Sequence, residues 1–149
     1  MDRRADIIVT SADHTPQLVV EVKNRTDMSP EWAARLRRNL FAHAAVLPTP
    51  FFMLALPDRF YLWKGEHTSG DAPADYVIDA SDLLRPYSGG NGAGEESSSG
   101  YALELMISSW LHDLLRAEHL APDERLAWLF DSGLYDAIRH GAVHTEASV

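Results

Sequence analysis

The sequence predicts an α/β fold, a mixed and mostly antiparallel sheet of about four to five strands with flanking helices. Three observations carry that reading. Apolar, β-branched or aromatic runs recur in the first half, as "DIIV", "LVVEV", "FFMLA" and "FYLW", with turn residues between them. One helix-like segment separates the second run from the third. After a Gly/Ser-rich stretch, apolar residues return at helical spacing at 103, 106, 107, 110, 111, 114 and 115.

Each element has its own local reason. "ADIIVT" (5–10) reads as a strand, "SADHTP" as a turn and "QLVVEVK" (17–23) as the second strand, so 5–23 is an antiparallel hairpin. Ser29 is placed to cap a helix, with Pro30 in its first position and Glu31 in its first turn. That helix runs to about residue 45. Trp32, Ala33, Leu36, Leu40, Phe41 and Ala44 form its apolar face, with Arg35, Arg37 and Arg38 on the solvated side. "FFMLALP" (51–57) is apolar throughout and reads as a strand covered on both faces. "FYLWK" (60–64) pairs back on it, and "DYVIDA" (75–80) is an edge strand or an extended segment. Residues 1–87 form the α/β core and 88–100 a flexible linker. Residues 101–149 form a helical segment that packs on the core or on a partner. Its helices start near 101, 122 and 134, and Trp110 and Leu114 serve as core or as an oligomer seam.

Bulk composition narrows the function. The chain has 149 residues, enough for one hydrophobic core. It has no cysteine, which excludes disulfides and thiolate metal sites and fits a cytoplasmic protein. No stretch suits a bilayer span, and "MDRRAD" lacks the apolar segment of a signal peptide. The net charge of −9 is uneven: residues 1–40 carry a net +1 and residues 58–149 a net −10. Any phosphate-facing surface is therefore expected in the first forty residues. His140 and His144 have the spacing of two ligands on one helix face, but no third ligand is evident. "SGGNGAG" lacks the Gly-Lys-Ser/Thr ending of a phosphate loop.

The chemistry gathers around "LVVEVKN" (18–24). In a strand, Glu21 and Lys23 share one face while Leu18, Val20 and Val22 share the other. The plain reading is an edge-strand ion pair. The alternative uses Asp6, at the start of the first strand, which a hairpin can bring close to Glu21. Two carboxylates and a backbone carbonyl make a hard-oxygen site suited to Mg²⁺ or Mn²⁺. Asp13 is a second acidic residue nearby, but its position is that of a turn residue.

"RRADIIV…PQLVVEVKN" resembles the PD-(D/E)XK nuclease superfamily, in particular the nuclease region of type I restriction subunits. The resemblance covers roughly residues 3–64. It implies a restriction endonuclease-like core and maps Asp6, Glu21 and Lys23 onto the catalytic positions. It also implies a metal site formed by Asp6, Glu21 and the Val22 carbonyl. Ala5 stands where the motif has Pro. "RLRRN" (35–39) lies where the family often has a Gln-x₃-Tyr element, with Arg35 and Asn39 at those positions. The family core usually begins with a helix that often carries another acidic residue. Only five residues precede Asp6 here, and residues 101–118 are one place that could supply that helix.

The function implied is Mg²⁺- or Mn²⁺-dependent phosphodiester hydrolysis, on DNA before RNA, with Arg25, Arg35 and Arg38 contacting nucleic acid. The alternative is an inactive module of the same fold. It would meet a protein partner, or a second copy as a homodimer, through its acidic C-terminal helices.

Overall fold

The computed structural model describes residues 6–43, 49–65, 72–88, 100–117 and 123–145. Among these, six strands form one open sheet between two helical layers. β1 (Ile7–Thr10) and β2 (Pro16–Val22) form the expected antiparallel hairpin. Its turn is closed by backbone bonds from Ser11 N–H to Thr15 O and from His14 N–H to Ser11 O. Asp13 accepts a hydrogen bond from the Ser11 hydroxyl there, as a turn residue does.

α1 (Pro30–Ala42) begins as its sequence requires: the Ser29 hydroxyl accepts from the Trp32 N–H at 3.0 Å. It crosses from β2 to β3 (Phe51–Ala55), and β2 and β3 run parallel. β4 (Arg59–Lys64) and β5 (Tyr76–Asp79) add antiparallel strands. α2 (Ser81–Leu84) and a 3₁₀ turn (Arg85–Tyr87) follow. α3 (Gly100–Arg116), a 3₁₀ turn (Glu124–Leu126), α4 (Ala127–Asp131) and α5 (Leu134–Ile138) make the second helical layer. β6 (Ala142–Thr145) then pairs antiparallel with β1, giving the order β5-β4-β3-β2-β1-β6.

Strand alternation divides the core. Ile7, Val9, Leu18, Val20, Met53, Phe60 and Leu62 face α3, α4 and α5, and meet Leu103, Ile107, Leu111 and Leu129. The Trp110 and Trp128 rings stack with centroids 6.1 Å apart, and both touch Phe60. Val19, Phe52, Leu54, Tyr61 and Trp63 face α1 on the opposite side.

Four expectations need correction. The sheet has six strands rather than four or five, because residues 142–145 return to β1. The C-terminal segment is therefore not purely helical. The Trp110/Leu114 stripe, by contrast, packs into the core, the first of its two expected roles. His140 lies in a turn with φ +65° and His144 lies on β6, so they do not share a helix face. Arg37 is not solvated: it is 2 % exposed, and its guanidinium lies 4.8 Å from the Phe41 ring centroid and 5.4 Å from that of Trp63. Partly buried Trp32, Leu36, Leu40 and Phe41 pack on α1's side as expected. The expected helix end at 44–45 and most of the 88–100 linker lie outside the described residues.

Candidate functional site

β2 is a central strand, hydrogen-bonded to β1 on one side and to β3 on the other. This overturns the edge-strand placement. Glu21 and Lys23 lie at its carboxyl end, beside the carboxyl end of parallel β3. In open α/β sheets that end is where ligands gather.

The register pairs Ile7 with Val20, and continuing it sets Asp6 opposite Glu21. β1 has ended there, and among the described residues the Val22 N–H has no backbone partner across the hairpin. Asp6 supplies one: its Oδ2 accepts from the Val22 N–H at 2.7 Å. A residue's N–H and C=O point toward the same neighbouring strand. The Val22 carbonyl is therefore turned to the side where Asp6 stands. One carboxylate oxygen of Asp6 ends the ladder, and its other oxygen, the Val22 carbonyl and the Glu21 carboxylate remain as hard donors.

Glu21 is only 8 % exposed. Among the described residues no hydrogen bond and no ion pair reaches its carboxylate, Lys23 included. A carboxylate held this way is costly to ionise. Burial pushes its pKa up to about 7, the Asp6 carboxylate adds to the rise, Lys23 opposes it and Glu104 adds further. The ion-pair reading would require direct contact between Glu21 and Lys23, which is absent.

Lys23 is held by its backbone. Its N–H donates to Ala55 O at 3.1 Å, extending the parallel ladder by one step. The loop behind it is tied to the β3–β4 turn. Tyr61 Oη donates to Met28 O at 2.6 Å, Arg59 donates to the same carbonyl at 3.1 Å, and the Asp27 N–H donates to Asp58 Oδ2 at 3.1 Å. Asp27 takes φ +60° to make that turn.

Glu104, which no sequence motif singled out, belongs to this neighbourhood. It lies in the second turn of α3, beside Leu103, which is buried against the face carrying Ile7 and Val20. Burial and the Asp6 carboxylate both raise its pKa. The signal was the expectation of an acidic helix from residues 101–118. Spacing alone could not choose among that helix's charged positions. Among the described residues, no three His, Cys, Asp or Glu side chains are close enough to hold one ion. The donors expected from the sequence, Asp6, Glu21 and the Val22 carbonyl, occupy neighbouring register positions, and Glu104 adds a further negative charge.

The expected nucleic-acid contacts fall unevenly. Arg25 is exposed just after Lys23, its guanidinium 5.9 Å from the Trp32 ring centroid. Arg35 and Arg38 lie on the exposed side of α1. No helix among the described residues is long and apolar enough to cross a membrane. Comparison of the chain with protein-family models, curated proteins and solved structures yields no match.

Proposed function

We propose that the chain is a Mg²⁺- or Mn²⁺-dependent phosphodiesterase of the PD-(D/E)XK type, acting on DNA in preference to RNA. One observation carries the reading: Glu21, a residue only 8 % exposed whose carboxylate takes no protein hydrogen bond among the described residues, sits at the carboxyl end of two parallel strands, with Asp6 opposite it in register and Lys23 two residues on. Structural carboxylates are buried with partners. One without them fits a ligand that brings positive charge.

Asp6, Glu21 and the Val22 carbonyl would hold the cation, as oxygen donors suited to a hard ion. When bound, the cation offsets charge on the phosphate and acidifies water. The Lys23 ammonium orients the attacking water and stabilises the charge that grows on the phosphoryl oxygens. Arg25, Arg35 and Arg38 meet flanking phosphates. Glu104 on α3 adds a further negative charge that bears on Asp6 and Glu21, in line with the acidic helix the resemblance implies.

Supercoiled plasmid incubated with Mg²⁺ or Mn²⁺ tests the proposal. The wild type should nick or linearise it. Asp6→Asn, Glu21→Gln and Lys23→Ala should each lower the rate by about a hundred-fold or more. Equal rates in Glu21→Gln would remove the proposal. A wild type without activity that still folds would favour the inactive-module reading, which the net −10 of residues 58–149 supports.

A further inference from the structure

We propose that Tyr61 and Arg59 are positioning residues for the site: they hold the segment 23–28 so that Arg25 is placed for a substrate phosphate. This deepens the nuclease reading and rests on it. Glu21 and Lys23 alternate with Val19, which faces α1, so their side chains leave the sheet on that side. The register runs Glu21–Leu54–Tyr61 across β2, β3 and β4, and Leu54 and Tyr61 face α1 as well. Tyr61 therefore stands on the face that carries Glu21, two strands away.

Residues 23–28 are bonded at both ends to one stretch of chain, 55–61. At the near end the Lys23 N–H donates to Ala55 O at 3.1 Å. At the far end the Asp27 N–H donates to Asp58 Oδ2 at 3.1 Å. Tyr61 Oη and Arg59 Nη1 both donate to Met28 O, at 2.6 and 3.1 Å. Arg59 also donates to Tyr61 Oη at 3.3 Å, so the three groups close into one network. Two donors fill both lone pairs of a carbonyl. Tyr61 is fully buried, and Asp27 takes φ +60°, which few side chains adopt. Tertiary bonds, rather than local preference, fix the far end.

The segment so held carries two cations, Lys23 and Arg25, and among the described residues neither forms an ion pair. Lys23 is set by its own ladder bond. The backbone of residues 24–26 makes no hydrogen bond among the described residues, so the course of Arg25 follows from the two ends. Its exposed guanidinium lies 5.9 Å from the Trp32 ring centroid. A segment ordered before binding loses less freedom when substrate arrives. Loosening the far end should therefore weaken substrate binding and leave the chemical step at Lys23 alone.

The test is steady-state cleavage of a fluorescein-labelled DNA duplex with Mn²⁺, with the fold of each variant checked by its urea midpoint. Tyr61→Phe keeps the buried ring and loses the hydroxyl; adding Arg59→Met removes the second donor. The double variant should raise KM by about five-fold with kcat within about two-fold of wild type. Tyr61→Phe alone should give a smaller rise in the same direction. Arg25→Ala should raise KM by a similar factor, and in that background the double substitution should change KM by less than about two-fold, because both act through one group. A merely structural role would lower the urea midpoint with KM unchanged, or raise KM equally in both backgrounds, and either result would overturn the inference. So would a fall in kcat with KM unchanged. Cleavage by wild type in those cases leaves the nuclease reading standing, whereas a folded wild type that cleaves nothing sinks that reading and this inference with it.

Discussion

Burial holds the Glu21 carboxyl up at about 7, against an ordinary value of 4.5 in the unfolded chain. Between those values the folded state keeps a proton that the unfolded state has lost. Raising the pH through this window therefore lowers stability, and the loss is complete above about 7. Its size is on the order of 3 kcal/mol, at about 1.4 kcal/mol per pKa unit. Glu21→Gln, which cannot ionise, should be more stable than wild type at pH 8 by up to that amount and equal to it near pH 4. Urea unfolding at the two pH values measures the difference, and a variant less stable at pH 8 would mean the carboxylate has a favourable partner. Arg37 poses the opposite case, a buried cation held by two aromatic faces. Arg37→Ala should cost about 2–4 kcal/mol from the lost ring contacts and the cavity left behind, read as a lower urea midpoint.

Among the elements, β6 depends most on one residue. A Cβ at Gly141 would lie 1.7 Å from Thr10 O, so β6 can reach β1 only with glycine at the approach. Gly141→Ala should therefore cost on the order of 3 kcal/mol or more. Hydrogen exchange should show protection lost first at the amides of Ile7–Thr10. This contact also marks where the sequence stopped being legible. "AVHT" is four residues long and follows a turn, so its pairing with residue 7 depends on contacts more than 130 positions away. By contrast, the hairpin, the Ser29 cap and the buried run at 51–55 rest on neighbours in sequence and were legible. Arg37 was misplaced for a related reason. Helical periodicity puts an arginine outside unless a partner for it is known, and Trp63 lies on another strand. At the site, Asp6, Glu21 and Lys23 followed from strand alternation. The Asp6 bond to the Val22 N–H and the approach of Glu104 required the tertiary structure.

Across the whole molecule, the C-terminal segment is part of the core rather than an appendage. Ile7, Val20, Met53, Phe60 and Leu62 are fully buried, and the layer over them is α3, α4 and α5. A chain ending at residue 87 would expose that face as a large apolar surface. It should fail to fold, showing no cooperative thermal transition by circular dichroism; a cooperative transition would make residues 1–87 an independent domain. The three-layer arrangement also frames the proposed cation site. Glu21 is buried on central strand β2, and Glu104 on α3 adds a further negative charge. The most direct test of that central claim is calorimetric titration of Mn²⁺ into wild type and Glu21→Gln at pH 7, in two buffers of different ionisation enthalpy. The account expects one saturable site in wild type, proton release on binding because the cation displaces the Glu21 proton, and loss of both in the variant. No saturable binding, or equal binding by Glu21→Gln, would contradict it.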